Sequence, residues 1–307
     1  MLGADGFIGS HITRLAAAAG IDVVAICVSD PWRISDVEGI ERHQVPDGRW
    51  WERAFGDQLG EWLRGAGALA LMAYSPPTSR YPQAWTRHER EVNLGGVRRV
   101  VERASAEGVR VVFASSADVY GSWHDDPVAE EIEARPATPY AEAKRSAEEA
   151  VRSGSDPSSG SSSLRLATVY GPGEDGPRAI PSFIRACLRG EPAPLHGDGA
   201  DVRDYVNVRD VGAAFLAACG AADLGDGEPI NIGSGIGRST REVLEAVAAA
   251  TRCDPHAEQL PSTRAPSRLV LRCERARELL GFEPRVTFDD GLDEEVGWLR
   301  QRYGEAQ

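Results

Sequence analysis

The chain has 307 residues, the length of about two domains or of one large α/β unit, and its 42% hydrophobic and 26% charged residues are typical of a globular protein. A net charge of −13 argues against nucleic acid and anionic membranes as partners, and no apolar run approaches the ~20 residues of a membrane span. Five scattered cysteines without CxxC spacing predict reduced thiols in a cytoplasmic protein, with no disulfide framework and no zinc site. The N-terminal residues do not have the pattern of a secretory signal.

Helical and buried-strand segments alternate through the first half of the chain. In chain order we predict a helix at 10–19, a strand at 22–28, a helix at 50–63, a strand at 67–73, a helix at 88–106, a strand at 109–114, a helix at 140–152 and a strand at 164–169. The strands are apolar without period-2 alternation, which indicates a parallel sheet that is covered on both faces. We therefore predict a doubly wound, Rossmann-like α/β domain over residues 1–170.

The second half of the chain, residues 171–307, has a different texture. Gly/Pro-rich loops separate shorter elements there, with helices predicted at 240–251 and 274–280. We expect a smaller, irregular α/β substrate lobe whose chain crosses back onto the first sheet around 229–233, so that the two parts interleave.

Residues 3–9 read GADGFIG, with Gly3, Gly6 and Gly9 in a GxxGxxG spacing ahead of a helix. Glycines at this spacing let the backbone turn tightly and approach a pyrophosphate, which sits on the free N–H groups and the positive end of the helix dipole. A glycine-rich turn that only packs a helix against a strand is the alternative. Because Met1 and Leu2 alone precede the loop, the central first strand is expected to be truncated, and we expect the native protein to begin upstream.

A second motif combines a serine pair with a tyrosine and a lysine. Ser115 and Ser116 follow the strand at 109–114, at the carboxyl edge where open α/β sheets bind ligands. Tyr140 and Lys144 are four residues apart on a helix, so their side chains are adjacent, and an ammonium lowers the pKa of a neighbouring phenol. The motif predicts a proton-transfer site, against the alternative of a surface tyrosine beside a solvated lysine.

These motifs resemble those of the extended short-chain dehydrogenase/reductases, in the branch of nucleotide-sugar epimerases, dehydratases and ketoreductases. GADGFIG resembles the cofactor loop of that family, LMAYS at 71–75 the strand end beside the nicotinamide, and NLGG at 93–96 its central asparagine-glycine motif. SSADVYG with Tyr140 and Lys144 resembles the active site, while LRLATVYGPG, LHGDGADVRDYVNVRDV and NIGSG resemble parts of the nucleotide-sugar lobe. The resemblance covers almost the whole chain.

The resemblance implies roles for individual residues. Tyr140 would be the general acid/base, Lys144 would bind the nicotinamide ribose, and Ser116 would hydrogen-bond the reacting sugar oxygen. The expected cofactor contacts are Gly3, Gly6, Phe7, Ile8, Gly9, Ser29, Arg33, Ala73, Asn93, Tyr140 and Lys144. The expected substrate contacts are Ser75, Ser116, Asp118, Thr168, Arg203, Tyr205 and Arg264, and no metal is expected.

Three departures from the family pattern narrow the expected function. The 4,6-dehydratases carry two acids after the active-site hydroxyl, whereas here the pair is Ala117 and Asp118, which argues against dehydration. Asp118 is then either an acid/base or a residue that orients substrate. Thr168 replaces the asparagine that contacts phosphate in the family, and the arginine that closes over the nucleotide is matched only loosely by Arg264 or Arg268. For Arg203, a salt bridge to Asp201 or Asp204 is the alternative to phosphate binding.

The leading hypothesis is an NAD(P)-dependent ketoreductase acting at C4 of a nucleotide-linked 4-keto-6-deoxyhexose. The first alternative is a nucleotide-sugar 4-epimerase that keeps its NAD bound, and the second is a non-catalytic dinucleotide-binding protein. By resemblance we also expect a homodimer through the Tyr/Lys helix and its neighbour at 88–106, although the apolar positions of that neighbour equally fit packing within one chain.

The sequence favours NADP(H) over NAD(H). In NAD-binding members an acidic residue ends the second strand and binds the adenosine ribose hydroxyls, and this position falls on Cys27. Ser29 and Arg33 follow as a hydroxyl donor and a charged partner for a 2′-phosphate. Asp30 is the competing group, because a turn that returned it to the ribose would restore a preference for NAD.

Overall fold

The computed structural model describes residues 1–45, 49–74, 86–155, 159–225, 227–253, 257–262 and 265–304. The helices in these ranges are α1 (Phe7–Ala18), α2 (Arg53–Leu63), α3 (Arg87–Arg90), α4 (Gly96–Ala106), α5 (Pro139–Gly154), α6 (Ala179–Arg189), α7 (Val208–Gly220), α8 (Thr240–Thr251), α9 (Glu274–Leu280) and α10 (Phe288–Tyr303). The strands are β1 (Val24–Cys27), β2 (Glu41–Gln44), β3 (Ala68–Leu71), β4 (Arg110–Ser116), β5 (Ser162–Leu166), β6 (Thr168–Tyr170), β7 (Ala193–His196), β8 (Val202–Asn207), β9 (Ile230–Ile232), β10 (Gly237–Ser239), β11 (Ala257–Leu260) and β12 (Arg268–Leu269). None of the helices described is both long and apolar enough to cross a membrane.

The first sheet is parallel, and Leu2 joins its two parts. The strand order is β2-β1 on one side of Leu2 and β3-β4-β5-β9 on the other. The N–H of Leu2 donates to Ala70 O at 3.0 Å, Met72 N donates to Leu2 O at 2.9 Å, and Gly3 N donates to Ile26 O at 2.9 Å. Short as the first strand is, residues 1–3 therefore lie between β1 and β3 and pair with both, so they join the flanking strands into one sheet.

Helices cover both faces of this sheet, which confirms the predicted doubly wound α/β fold. α1 and α7 pack on one face, and α2, α4 and α5 on the other. Alternate residues of β4 face the two cores, with Val112 toward α7 and Val111 toward α4. The apolar side chains of α4, including Val97 and Val100, are buried within the chain against this second core.

The second lobe is built around β8. Strand β10 pairs with it antiparallel, while β12 and β6 pair with it in parallel. Helices α6, α8 and α10 enclose a separate core that contains Phe183, Val243 and Leu292. Strand β9 leaves this lobe and pairs with β5 in the first sheet, as predicted for the segment around 229–233.

Two predicted elements are divided in the structure. The strand predicted at 164–169 is two strands, because β5 remains in the first sheet whereas β6 turns away to pair with β8. The helix predicted at 88–106 is interrupted by a π-helical turn at Glu91–Gly95, which carries Asn93. Such turns are local departures from α-helical periodicity that a pattern of apolar residues does not reveal.

The structure corrects the expectation of five reduced thiols. Cys187 near the end of α6 and Cys253 just after α8 form a disulfide, with their Cα atoms 5.8 Å apart. The two residues are separated by 66 positions in sequence and meet because α6 packs against α8. Cys27, Cys219 and Cys273 are free thiols.

Candidate active site

The glycine loop between Leu2 and α1 requires glycine at two of its three positions. Gly3 has φ +86°, a conformation that L side chains rarely adopt. A Cβ on Gly9 would lie 2.0 Å from the carbonyl oxygen of Gly3, so the loop closes only if position 9 has no side chain. Helix α1 begins at Phe7 without a side-chain cap among the described residues, and Gly6, Phe7 and Ile8 line a cavity. A tight loop with uncapped helical amides beside a cavity fits the pyrophosphate of a dinucleotide.

At the end of β1, Cys27 occupies the position of the missing ribose-binding acid, and Asp30 is the competing group; both are engaged within the protein. Cys27 is 1% exposed and packs in a core with Ala4, Ala25 and Ile34. Burial raises the pKa of the Cys27 thiol to about 11. The carboxylate of Asp30 accepts a hydrogen bond from Trp32 N at 3.1 Å and so helps to form the next turn.

A different carboxylate, that of Asp5, lies at this end of the site. Asp5 is 2% exposed, and its side chain accepts hydrogen bonds from Val28 N at 2.8 Å, Ser29 N at 2.7 Å and the Ser29 hydroxyl. Arg33 is half-buried, stacks on Trp32 with its guanidinium 4.3 Å from the ring centre, and donates to the carbonyl oxygen of Asp5 at 3.4 Å. Sequence reasoning missed Asp5, because its partners lie 23 and 24 positions further along the chain.

The end of β3 and the π-helical turn bring aromatic and amide side chains to a second, small cavity beside the first. Ala73 and Asn93 are buried and line this small cavity together with Tyr74 and Lys144. The ring of Tyr74 lies edge-on to Tyr140, with the ring centres 5.3 Å apart, and 5.0 Å from the Lys144 Nζ. Tyr74 was not predicted as a site residue, although it stands in the LMAYS motif. The predicted contact Ser75 lies outside the described residues.

Strand β4 and helix α5 bring Ser116, Tyr140 and Lys144 together. Helix α5 begins at Pro139, with the Thr138 hydroxyl accepting from Ala141 N at 3.2 Å, which fixes the first turn that carries Tyr140. Lys144, one turn on, is 6% exposed and donates to Ala114 O at 2.7 Å. The Lys144 Nζ lies 5.7 Å from the ring centre of Tyr140.

Charges around the tyrosine act in opposite directions on its acidity. Burial raises the pKa of Tyr140, and the nearby carboxylate of Asp118 raises it further. Hydrogen bonding to Ser116 and the positive charge of Arg178 both lower this pKa. Burial lowers the pKa of Lys144 to about 8, against the raising effect of Glu148. At neutral pH Lys144 is therefore still mostly protonated. Because its pKa lies close to this pH, a bound ligand or a change in the nearby charge readily alters its protonation state.

The second lobe supplies the far wall of the cavity. Thr168, Arg203 and Tyr205 line it, and Tyr205 is packed edge-on against Tyr170 and Phe288. The alternative of a salt bridge from Arg203 to Asp204 does not fit, because the Asp204 carboxylate is engaged by Ser234 N, the Ser234 hydroxyl, Gly235 N and Leu271 N.

Arg178, at the start of α6, was not predicted as a site residue. It lines the same cavity with 60% of its side chain exposed, and its Nε lies 3.5 Å from the Glu174 carboxylate. The predicted contact Arg264 lies outside the described residues.

One cavity of about 700 Å³ joins these parts, from the glycine loop past Ser116, Tyr140 and Lys144 to Arg203. This volume is within the range of sites that bind small molecules and cofactors. The cavity thus has a phosphate-binding loop at one end, a proton-transfer group in the middle and a guanidinium at the other end.

Comparisons with known proteins give a consistent result. A family model described as the NAD dependent epimerase/dehydratase family matches residues 1–233. The UDP-glucose 4-epimerase of Mycolicibacterium smegmatis is 32% identical, over 98% of this chain and 97% of its own length. The solved structure of MoeE5 in complex with UDP-glucuronic acid and NAD is similar with a TM-score of 0.85 at 28% identity, covering 98% of both chains. The UDP-glucose 4-epimerase of Thermotoga maritima with UDP-glucose also has a TM-score of 0.85, at 26% identity and 98% coverage of both chains.

Proposed function

The chain belongs to the NAD dependent epimerase/dehydratase family, and from this premise we propose that it is a 4-epimerase of a UDP-linked hexose. The observation that carries the proposal is that Ser116, Tyr140 and Lys144 line one cavity with the glycine loop and Arg203. The M. smegmatis epimerase, which matches this chain over almost its full length, supports C4 as the reacting centre. Because of this relative, we prefer epimerisation to the ketoreduction that the sequence favours.

NAD would be held by the backbone of Gly6, Phe7 and Ile8 at one end and by Lys144 near its reacting end. When bound, NAD supplies the acceptor and donor of the hydride that leaves and returns at the sugar carbon. Lys144, buried and hydrogen-bonded to Ala114 O, presents its remaining N–H donors toward the cavity.

Tyr140 would take the proton from the C4 hydroxyl on its phenolic oxygen and return it when the ketone is reduced. Its raised pKa favours the neutral phenol in the free protein, so a base form depends on positive charge close by. Lys144 and Arg178 provide such charge within the cavity wall. Ser116 would donate a hydrogen bond to the same sugar oxygen and so orient it.

The site lacks the second acid that elimination of water would need. Ala117 is buried at the position where the dehydratases carry one acid of their pair, leaving Asp118 as the single carboxylate there. Asp118 is exposed and lines the cavity, which suits contact with a sugar hydroxyl. Arg203, across the cavity, would pair with the diphosphate, since a guanidinium fork meets phosphate oxygens bidentately.

The test is an assay for UDP-galactose formed from UDP-glucose by the purified protein without added nicotinamide. Turnover is expected, and Tyr140→Phe should abolish it while dinucleotide affinity stays within a few-fold of the wild type. Turnover equal to wild type in that variant would remove the proposed mechanism. Stoichiometric consumption of added NADPH with a 4-keto sugar, and no epimerisation, would replace the proposed reaction by ketoreduction.

Ketoreduction with NADPH is the second candidate, and the arrangement at the end of β1 favours it. Cys27 stands where NAD-binding members carry a carboxylate, and Ser29 and Arg33 lie beside the Asp5 loop. If Arg33 pairs with a 2′-phosphate, Arg33→Ala should weaken NADPH binding much more than NADH binding. Equal losses for both dinucleotides would show that another group, Asp5 among them, reads the ribose.

A further inference from the structure

Helix α5 presents a third polar side chain on the face that carries the tyrosine and the lysine. Tyr140, Lys144 and Glu148 follow one another at four-residue spacing, so their side chains are neighbours along the helix. Lys144 meets the backbone of Ala114, and Glu148 meets the side chain of Ser115. The three polar groups of α5 are thus matched to the last three residues of β4, since Tyr140 faces Ser116.

Glu148 is held by a buried ion pair. Arg165 Nε donates to Oε1 of Glu148 at 2.9 Å and its Nη2 donates to Oε2 at 2.8 Å, which is a bidentate pairing. The Ser115 hydroxyl donates to the same Oε1 at 2.6 Å. The side chains of Arg165 and Glu148 are only 5% and 4% exposed, so water cannot solvate either charge if its partner is removed.

The ion pair continues into a buried network that spans the sheet. The guanidinium of Arg165 lies 4.7 Å from the ring centre of Tyr120, and the Tyr120 hydroxyl donates to Asn231 Oδ1 at 2.8 Å. Asn231 lies on β9 and donates in turn to Val128 O at 3.0 Å. The carboxylate of Glu148 is therefore hydrogen-bonded from β4 and β5, while from its own helix Arg145 forms a longer ion pair with Oε2 at 3.9 Å.

We propose that Glu148 is a positioning residue, which with Arg165 and Ser115 fixes α5 on β4 and holds Lys144 in its charged form beside Tyr140. This inference rests on the proposed roles of Tyr140 and Lys144. The ordinary alternative is that the ion pair only stabilises the fold. The two differ in whether the charge of Glu148 is felt at Lys144.

Among the charged and titratable groups around Lys144, Glu148 has the main effect of raising the pKa of the lysine. Tyr140 and Glu148 face Lys144 from its own helix, and Tyr74 faces it from the end of β3. Two cations pair with Glu148: the buried Arg165 on β5 and, at 3.9 Å, the 44% exposed Arg145 on α5. Strand β4 contributes the uncharged ring of Phe113, 4.8 Å from the Lys144 Nζ, and the π-helical turn contributes the amide of Asn93. Further out, Glu89 of α3 acts on Tyr74, and Asp118 and Arg178 act on Tyr140. Glu148 is the anion that raises the pKa of Lys144, and without it Arg165 would be an unpaired buried cation nearby.

The test is the pH dependence of dinucleotide affinity, measured by fluorescence titration with NADH between pH 6.5 and 9.5. In the wild type the affinity should fall as pH rises through about 8, where Lys144 loses its proton. In Glu148→Gln the midpoint of that fall should move to lower pH by about one unit, because loss of a neighbouring opposite charge one helical turn away typically lowers the pKa of a lysine by ~1 unit or more. The alkaline limb of the pH profile of kcat should move to lower pH by the same amount.

Two further variants separate positioning from folding. Glu148→Gln leaves Arg165 unpaired and should lower Tm, whereas the double variant Glu148→Leu/Arg165→Met removes both charges and should recover Tm. In the double variant the midpoint should return at least halfway to the wild-type value. Glu149→Gln is the matched control, since Glu149 is on the same helix and 47% exposed, and it should leave the midpoint unchanged.

Three results would overturn the inference. They are a folded Glu148→Gln protein with the wild-type midpoint, a wild-type affinity that is flat across the pH range, and an equal shift in Glu149→Gln. NADH titration needs no sugar, so the proposed function fails separately: a wild-type protein that binds NADH but epimerises no UDP-hexose sinks that proposal alone.

Discussion

The two ends of the cavity differ in how their polar groups are held. At the first sheet, Lys144 lines the cavity, is 6% exposed and donates to Ala114 O. The glycine loop beside it is fixed by Asp5, which is 2% exposed and accepts from Val28 N and Ser29 N. At the second lobe, Arg178 has 60% of its side chain exposed, and Arg203 is only half-buried. The first end is organised before any ligand arrives, while the second has side chains that are free to adapt.

This difference separates the chemistry of the site from its choice of sugar. Preorganised donors and charges stabilise a reaction best when they need not move, which suits the end that would hold the dinucleotide and the reacting oxygen. Exposed charged side chains lose more conformational freedom on binding. They therefore contribute to affinity only for a substrate that pairs with them. Substitutions at the two ends should accordingly affect different measured quantities.

The largest effect is expected at the buried end, from Gly9→Ala. The added Cβ would lie 2.0 Å from Gly3 O, a backbone atom that cannot move without opening the loop, so dinucleotide binding should become undetectable by calorimetry. Gly56→Ala in α2 is the matched control, because a Cβ there meets nothing within 4 Å and should leave binding unchanged. Wild-type affinity in Gly9→Ala would show that the loop is not the phosphate site.

The parts of this site that depend on a fixed local spacing could be predicted from the sequence. The glycine loop and the Tyr140/Lys144 pair were predictable because each function is tied to a fixed local spacing, GxxGxxG before a helix and i,i+4 on a helix. The structure places both on one cavity. The fold class was predictable for a similar reason, since apolar strands that alternate with helices leave few arrangements other than a parallel sheet.

Contacts between distant segments were not predictable from spacing. Asp5 reaches Val28 and Ser29, Glu148 pairs with Arg165, and Cys187 bonds to Cys253, each through packing that brings separate elements together. Arg178 belongs to the same group, because nothing in its local sequence indicates that α6 starts at the cavity wall. Side chains that act across elements are set by tertiary structure, which single-sequence periodicity does not contain.

The next largest effect concerns the second lobe, through its disulfide. A link that closes a loop across 66 positions should add about 4 kcal/mol to the free energy of unfolding, by restricting the unfolded chain. Chemical denaturation of the protein with and without reductant measures this difference, and Cys253→Ser should reproduce the effect of reductant. Thiol titration of the denatured, unreduced protein should find the three free cysteines Cys27, Cys219 and Cys273. Five titrating thiols would contradict the pairing.

A smaller effect is expected from Arg203→Ala at the substrate end. Loss of a charge-assisted contact to the diphosphate costs ~1.5–3 kcal/mol, so the KM for the UDP-sugar should rise about 10- to 100-fold with dinucleotide affinity unchanged. Arg209→Ala is the control, because Arg209 also lies in the second lobe but pairs with Glu294 at 2.7 Å in an exposed position. A loss of dinucleotide affinity in Arg203→Ala would break the proposed separation of the two ends.

The smallest effect involves Glu174, a buried carboxyl beside the exposed Arg178. Burial raises the pKa of Glu174 from its ordinary value of 4.5 to about 7, although Arg178 and Arg185 act in the opposite direction. The nearby Glu295, whose Oε2 accepts from Gly171 N at 2.8 Å, also has its pKa raised by burial and by Glu174. Two buried carboxyls that repel each other in their charged forms favour a shared proton.

The sign of the pH dependence follows from these shifts. Between pH 4.5 and about 7 the native carboxyl of Glu174 keeps a proton that the unfolded chain has lost, so its contribution to stability is complete at low pH and disappears as pH rises through 7. Glu174→Gln imitates the protonated form, and should therefore unfold with the wild-type free energy at pH 5 but be more stable by on the order of 2 kcal/mol at pH 8. Urea unfolding at the two pH values measures this, with Glu191→Gln as an exposed control in the same lobe. If the variant's advantage does not grow with pH, Glu174 is charged at neutral pH and the charge of Arg178 is already balanced before a sugar binds.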